Sequence, residues 1–150
     1  MLIDSNILVY SINSSSPKHK KAQQFLQNNL DDLEVAHQNI FETLRILTHP
    51  KFPNPMKINE AILAVERILK ACRIITPGFS AHRIALELIK KHKVTSNQVF
   101  DAYLVATAVS NDIYTVATDN ISDFKKFTII KITNPFLYTI RVKLSQCCLR

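Results

Sequence analysis

The stretch FDAYLVATAVSNDIYTVATDNISDF, residues 100–124, holds the strongest indications of this chain's architecture. In its first half, Leu104 and Val105 follow Asp101 at the spacing that places residues on one stripe of a helix. The segment IYTVAT is apolar and β-branched and predicts a strand, and the polar residues after it predict a turn. A carboxylate on an inward-facing helical stripe is costly to bury unless it is compensated, so Asp101 calls for an explanation.

Short apolar runs alternate with helical patterns along the rest of the chain. We predict further strands at residues 1–3, 33–36, 73–75 and 127–132, and further helices at residues 18–29, 38–48, 58–71 and 80–91. Helical spacing places Phe41, Ile62 and Leu88 among the inward-facing side chains. Because strands that alternate with helices favour a parallel sheet, we predict an α/β three-layer sandwich. Helices flank a central, mainly parallel sheet of short strands.

The chain has 150 residues, of which 47% are hydrophobic, enough for one domain with its own core. We assign residues 1–135 to this domain, since Asn134 and Pro135 end the last predicted strand. Residues 136–150 alternate between apolar and polar and are treated as a C-terminal extension. An added edge strand, pairing with another chain and a disordered extension remain open for it. We expect no membrane segment, because no apolar run approaches about 20 residues.

Charge and composition narrow the function. Nineteen Lys and Arg residues against twelve Asp and Glu residues give a net charge of +7, which favours a polyanion such as nucleic acid as partner. The single glycine, Gly78, excludes the glycine-rich phosphate-binding motifs. Three cysteines without CxxC spacing favour reduced thiols, and the N-terminus has no secretory signal pattern. We therefore expect a cytoplasmic protein.

Three acidic residues lie next to predicted strand ends. Asp4 ends the first strand, Glu42 lies in the first turns of the helix after the second, and Asp101 begins the helix before the fourth. Each has a structural interpretation, because acidic residues cap helices and favour the helix dipole. In a parallel sheet, however, these positions converge on one edge.

Clustered carboxylates repel one another unless a cation neutralises them. Oxygen ligands favour Mg²⁺ or Mn²⁺, and such an ion activates water and stabilises charge on a phosphodiester. Asp119, Asn120 and Asp123 follow the fourth strand and extend this set; we interpret Asp119 as ordinary turn chemistry. An acidic metal centre in a basic protein predicts cleavage of nucleic acid.

The segments around these residues resemble those of a known protein family. The segments LIDSNILVY (residues 2–10), QNIFETLRILTHP (residues 38–50) and the stretch at residues 100–124 resemble the PIN-domain family, and within it the VapC-type toxins. The resemblance runs from residue 1 to about residue 135. It implies an Mg²⁺- or Mn²⁺-dependent endoribonuclease that cleaves RNA, is inhibited by a small antitoxin protein and forms a homodimer.

The resemblance also implies roles for individual residues. Asp4 and Asp101 would be direct metal ligands, and Glu42 would bind metal or orient water. The fourth acidic position of the family aligns with Asn120, whose neutral amide holds a second metal less well than a carboxylate. Asp123 is a candidate to compensate for it.

Other functions remain open from the sequence. A PIN-domain nuclease could mature or degrade RNA without an antitoxin, and a neighbouring antitoxin reading frame would distinguish the two. A non-catalytic module that binds RNA or protein would leave the acids structural. Phosphotransfer on Asp4 fits a strand-end aspartate but explains Glu42 and Asp101 less well.

Overall fold

The computed structural model describes residues 1–137 as helices around one five-stranded sheet. The strands are β1 (Leu2–Ile3), β2 (Glu34–Ala36), β3 (Arg73–Ile75), β4 (Thr115–Ala117) and β5 (Lys131–Thr133). Their order across the sheet is β3-β2-β1-β4-β5, and all four pairings are parallel. The predicted parallel sheet is therefore confirmed, with β1 at its centre.

Seven α-helices connect these strands in the described part of the chain. They are α1 (Ser5–Ile12), α2 (His19–Gln27), α3 (His37–Leu47), α4 (Ile58–Leu69), α5 (Ala81–His92), α6 (Gln98–Val109) and α7 (Ile121–Phe124). Because β1, β2 and β4 are neighbours, the segments that follow β1, β2 and β4 all begin at the same edge of the sheet.

The two faces of the sheet carry separate hydrophobic clusters, because successive side chains of a strand point to opposite sides. Leu2 and Val116 pack with α5 and α6 on one face, whereas Ile3 and Ala117 pack with α1 and α2 on the other. Burying one such side chain contributes about 2 kcal/mol. This confirms the three-layer α/β sandwich.

One detail of the prediction is wrong on α3, the helix that follows β2. Its fully buried residues are Asn39, Thr43 and Leu47, and Ile40 and Leu44 pack against the core as predicted. Phe41, predicted to face inward, is 68% exposed. The physical reason is that polar Asn39 faces Asp4 at the sheet edge, and this contact takes precedence over apolar periodicity.

Two other predictions also differ from the structure. Ile62 in α4 is exposed, because Ala61 and Val65 form the buried stripe of that helix. The last strand begins at residue 131 instead of residue 127. Phe127 and Ile130 are buried as predicted, but they lie before the strand. Apolar character alone does not distinguish a buried strand from a buried loop segment.

The C-terminal extension is described only as far as Leu137. The alternatives for residues 136–150 therefore lie almost wholly outside the described residues. Within residues 1–137, none of the helices combines the length and the apolar character that crossing a lipid bilayer requires.

Candidate active site

Asp4 lies directly after β1, where the chain turns into α1. Its backbone N–H donates to the Ala117 carbonyl oxygen at 2.9 Å, which keeps the ends of β1 and β4 side by side. Oδ1 accepts the Ser5 N–H at 2.7 Å and so caps α1. Oδ2 accepts from Asn6 Nδ2 at 2.6 Å and from Thr118 Oγ1 at 2.7 Å. The helix-cap interpretation of Asp4 is correct, and the same contacts hold its carboxylate rigidly at the sheet edge.

Three polar residues that position Asp4 were missed from the sequence. Thr118 Oγ1, besides donating to Asp4, accepts from Asn6 Nδ2 at 3.0 Å. Asn39 is fully buried, and its Nδ2 lies 3.4 Å from Asp4 Oδ1. The sequence held a signal for two of them. Thr118 ends the strand next to Asp4, and Asn39 is a polar residue one turn before Glu42 on an amphipathic helix.

The carboxyl group of Asp4 is only 6% exposed. Burial raises its pKa, and the nearby charge of Glu42 raises it further, while hydrogen bonds from Thr118 and Ser5 act in the opposite direction. The pKa of Asp4 is therefore above its ordinary value, because the loss of hydration outweighs these hydrogen bonds.

An open cleft of about 540 Å³ lies beside Asp4, between α3 and the start of α6. Its lining includes Glu42, Asp101, Asn120 and Asp123, which are four of the five predicted site residues. The fifth, Asp4, is not a lining residue, but it lies close enough for its charge to raise the pKa of Asp101. We call this region the acidic cleft.

The carboxyl group of Asp101 also has a raised pKa. Partial burial and then the charges of Asp123, Asp4 and Glu42 raise its pKa to about 6, against a small opposing effect of Lys126. Burial and the nearby negative charges both disfavour the ionised form of Asp101, and the effect of Lys126 does not offset them. Such a site favours binding of an external cation.

The other acidic-cleft residues have partners of their own. Glu42 Oε1 lies 3.7 Å from the Arg45 guanidinium one turn along α3. Asn120 Nδ2 donates to Asp123, and Asn120 Oδ1 accepts from Ser122 Oγ at 2.8 Å. The Asn120 amide therefore stabilises the Asp123 carboxylate by a hydrogen bond and adds no negative charge of its own.

Asp119 belongs to a different environment. Its carboxylate forms an ion pair with Lys18 and accepts from Tyr10 Oη at 3.1 Å and Asn134 Nδ2 at 3.3 Å. Partial burial by itself would raise its pKa, but these hydrogen bonds together lower it. We call these four residues the Asp119 cluster. It lies outside the acidic cleft, in agreement with the structural interpretation of Asp119.

The residues of the acidic cleft suit a hard divalent cation in the chemistry of their donors. Within residues 1–137, no three His, Cys, Asp or Glu side chains stand together as a preformed set of ligands. Mg²⁺ does not require one, because it keeps several waters and is bound by one or two carboxylates together with substrate phosphates. The carboxylates of Asp4 and Asp101 match this mode of binding.

Known proteins are similar to this chain in sequence or in fold. Ribonuclease VapC37 of Mycobacterium tuberculosis is 28% identical over 140 residues, covering 89% of this chain and 96% of the relative. The crystal structure of VapBC2 from Rickettsia felis, bound to a DNA fragment from its promoter, superposes with a TM-score of 0.69 at 17% identity, covering 89% of this chain and 96% of that one. A toxin–antitoxin complex from Klebsiella pneumoniae superposes with a TM-score of 0.66 at 19% identity, covering 90% and 97%.

The two structural likenesses support the fold, since their sequence identities are low. The family assignment rests on a separate match, because the model of the PIN domain aligns with residues 1–129. Those residues include β1 to β4 and every residue of the acidic cleft. The chain belongs to the PIN-domain family.

Proposed function

We propose that this protein is an endoribonuclease that hydrolyses RNA phosphodiester bonds with Mg²⁺ or Mn²⁺. The observation that carries the proposal is the acidic cleft, where Asp101 lies among Asp4, Glu42 and Asp123 with its pKa raised to about 6. A divalent cation relieves this repulsion and, when bound, activates water and stabilises charge on the phosphodiester. Members of the PIN-domain family use divalent metals, which agrees with this chemistry.

The chain's own residues have distinct roles in this proposal. Asp4 and Asp101 hold the cation, with Asp4 fixed by Thr118 and Asn6. Rigid support of a ligand matters because a small misplacement of reacting groups is costly in rate. Glu42 faces the same cleft and orients a water molecule or contributes to metal binding.

Asn120 and Asp123 complete the catalytic set that we propose. The hydrogen bond between them keeps Asp123 at the side of the cleft where it affects the charge of Asp101. Because Asn120 is neutral, we propose one firmly bound cation, with any second cation held less well.

The proposal extends to a biological role as the toxin of a toxin–antitoxin pair. Relatives named as VapC ribonucleases and neighbours solved as toxin–antitoxin complexes support it. We propose a small antitoxin protein and a second copy of this chain as partners. We further propose that residues 1–135 form the nuclease domain, that residues 136–150 are an extension, and that the protein acts in the cytoplasm.

The direct test is cleavage of a mixed RNA pool by the purified protein in Mg²⁺ or Mn²⁺. We expect cleavage by the wild type, its loss in EDTA, and its loss in Asp4→Ala and Asp101→Asn. The matched control is Asp112→Asn, because Asp112 is an exposed aspartate beyond the opposite end of α6. This control should cleave like the wild type.

Two results would contradict the proposed centre. Cleavage by Asp101→Asn at the wild-type rate would remove Asp101 from it, and unimpaired cleavage in EDTA would remove the cation. The antitoxin is tested separately, by growth arrest on expression and its relief by the product of an adjacent small reading frame. Cleavage without growth arrest would favour RNA processing over a toxin.

A further inference from the structure

Two phenylalanines stand at the rim of the acidic cleft, each immediately before a proposed catalytic acid. Phe41 precedes Glu42 and Phe100 precedes Asp101. Phe41 is 68% exposed and Phe100 is 62% exposed, and both line the acidic cleft. Leaving a phenylalanine in water forgoes about 1.5–3 kcal/mol of burial, so two such rings beside one site indicate an interaction surface.

The same rings border a second, more apolar cleft of about 270 Å³. Phe41 and Phe100 are shared by the two clefts, and Tyr103 and Pro77 line the apolar one. Aromatic and apolar walls therefore lie directly next to the acids. We call Phe41 and Phe100 the aromatic rim.

Gln38 links the two halves of the aromatic rim. Its Nε2 donates to the Phe100 carbonyl oxygen at 3.2 Å, which joins α3 to the start of α6. This hydrogen bond fixes the orientation of the amide, and its Oε1 is then buried without a hydrogen-bond donor among the described residues. Gln38 lines both clefts, so this contact holds the two halves of the aromatic rim together.

We propose that the aromatic rim binds unpaired bases of the RNA next to the scissile phosphate. Bases expose two π faces that stack on aromatic side chains largely without regard to sequence, and they are accessible in single-stranded loops and ends but not in a duplex. This inference rests on the proposed function. It adds to it two base-binding residues, Phe41 and Phe100.

The occupant that the surface favours is RNA and not a second copy of the chain. Phe41 and Phe100 share a wall with Glu42 and Asp101, so a protein surface seated on the rings would also cover the acids. The chain as a whole carries a net charge of +7, which favours a polyanion as partner. The exposed Arg45, beside Glu42, supplies a cation for the backbone at the rim.

The test measures RNA binding apart from cleavage. A single-stranded RNA of about ten nucleotides, carrying 2-aminopurine, is titrated with protein in Ca²⁺, and gels verify that the RNA stays intact. The variants are Phe41→Leu and Phe100→Leu, which keep an apolar side chain without a ring, and Phe41→Tyr and Phe100→Tyr, which keep the ring. The control is Phe79→Leu, because Phe79 is 99% exposed and lines neither cleft.

We expect each leucine variant to bind the single strand about tenfold more weakly and to lose quenching of 2-aminopurine, while duplex binding changes less. The tyrosine variants and Phe79→Leu should bind like the wild type. Equal binding by the wild type and both leucine variants would overturn the inference. So would a leucine variant that turns a dimer into a monomer by sedimentation velocity, because the rings would then be an interface between copies.

Parallel cleavage assays keep the two proposals distinguishable. If the wild type cleaves RNA and the leucine variants bind normally, the nuclease stands and the aromatic rim fails. If the wild type cleaves no RNA but the leucine variants still bind the single strand about tenfold more weakly, the nuclease fails and the aromatic rim stands.

Discussion

Asp119 and Asp101 lie at the same edge of one sheet, and their surroundings are opposite. Asp119 is matched by the Lys18 ammonium and by the Tyr10 hydroxyl, and its pKa is lowered. Asp101 lies among three other acids, and its pKa is raised to about 6. The protein thus compensates one carboxylate internally and leaves the other to be compensated from outside.

The contrast distinguishes a carboxylate that stabilises the fold, Asp119, from a carboxylate that we propose acts in catalysis, Asp101. The Asp119 cluster also joins separate parts of the chain, since the Lys18 ammonium lies 5.2 Å from the Tyr10 ring centroid and 5.1 Å from that of Phe136. Asn120, the next residue, faces the acidic cleft instead. Neighbours in sequence can therefore belong to different functions, and the distribution of compensating charge tells them apart.

The sharpest test of the contrast compares the same substitution in the two regions. We expect Asp101→Asn to reduce RNA cleavage by about 10²-fold or more, a typical contribution of a catalytic group, because it removes a proposed cation ligand. Asp119→Asn should stay within a few-fold of the wild type. Initial cleavage rates at saturating Mg²⁺ measure both. Similar losses of cleavage rate in the two variants would contradict the proposed difference between Asp101 and Asp119.

Asp4 combines both kinds of role, so its removal should damage both activity and stability. Asp4→Ala leaves the Ser5 N–H and the Thr118 hydroxyl without their acceptor, which we expect to lower the free energy of unfolding by about 2–3 kcal/mol. Thr118→Val, which removes one donor to Asp4, should cost less. Urea denaturation checks both, and a fully stable Asp4→Ala variant would show that these hydrogen bonds are replaced by water.

The pH dependence of stability should have opposite signs in the two regions of metal-free protein. For Asp101 the folded state binds the proton more tightly, so the free energy of unfolding falls as pH rises from about 4 to about 6, by at most about 3 kcal/mol before solvent screening. For Asp119, with its lowered pKa, stability is present above its ordinary value of 3.8 and is lost as pH falls below it.

Urea midpoints measured in EDTA between about pH 3 and pH 7 would test these signs. Asp101→Asn should remove the decline between about pH 4 and pH 6, and Asp119→Asn should remove the loss at lower pH. Parallel profiles for the wild type and Asp101→Asn would contradict the raised pKa.

A smaller effect is expected from restoring an acid at the cleft. Asn120→Asp adds a fifth carboxylate and removes the amide donor to Asp123, so Mn²⁺ affinity should rise several-fold with ligand charge. The same change should lower stability in EDTA through added repulsion. Isothermal titration with Mn²⁺ measures the first effect, with Ser122→Asp as a control acid at an exposed neighbouring position. Equal gains in both variants would indicate a general charge effect.

The smallest effect should come from Lys18. Lys18→Met removes the ion pair with Asp119 and the contacts with two aromatic rings. Because the Lys18 side chain is 38% exposed, we expect a loss of about 0.5–1 kcal/mol in unfolding free energy and unchanged RNA cleavage. Thermal denaturation and the cleavage assay together check this, and a loss of cleavage would connect the two regions.

Much of the fold could be predicted from local patterns, because strand and helix propensities act over a few residues. The strand at residues 73–75 and the inward face of α6 are as predicted. The buried face of α3 could not be predicted completely in this way. Its buried stripe contains Asn39, and the advantage of burying an amide there comes from Asp4, 35 positions earlier.

For the candidate site, residue types and strand ends were sufficient to name the candidates Asp4, Glu42, Asp101, Asn120 and Asp123. They did not show which hydrogen bonds position these side chains. The hydrogen bond from Thr118 to Asp4 spans 114 positions, so the end of a predicted strand pointed to Thr118 without showing this contact. The exposure of Phe41 was likewise missed, because helical spacing marks a ring as apolar without showing which way the helix is turned.

The amino-acid sequence alone determined the class of the fold and the excess of positive charge and supplied the candidate acids, since these follow from composition, periodicity and order along the chain. Tertiary structure was needed to show which carboxylates share one cleft and which has its own cation. Solvation and Coulomb interactions depend on distances in space, and packing sets those distances between residues that are far apart in sequence.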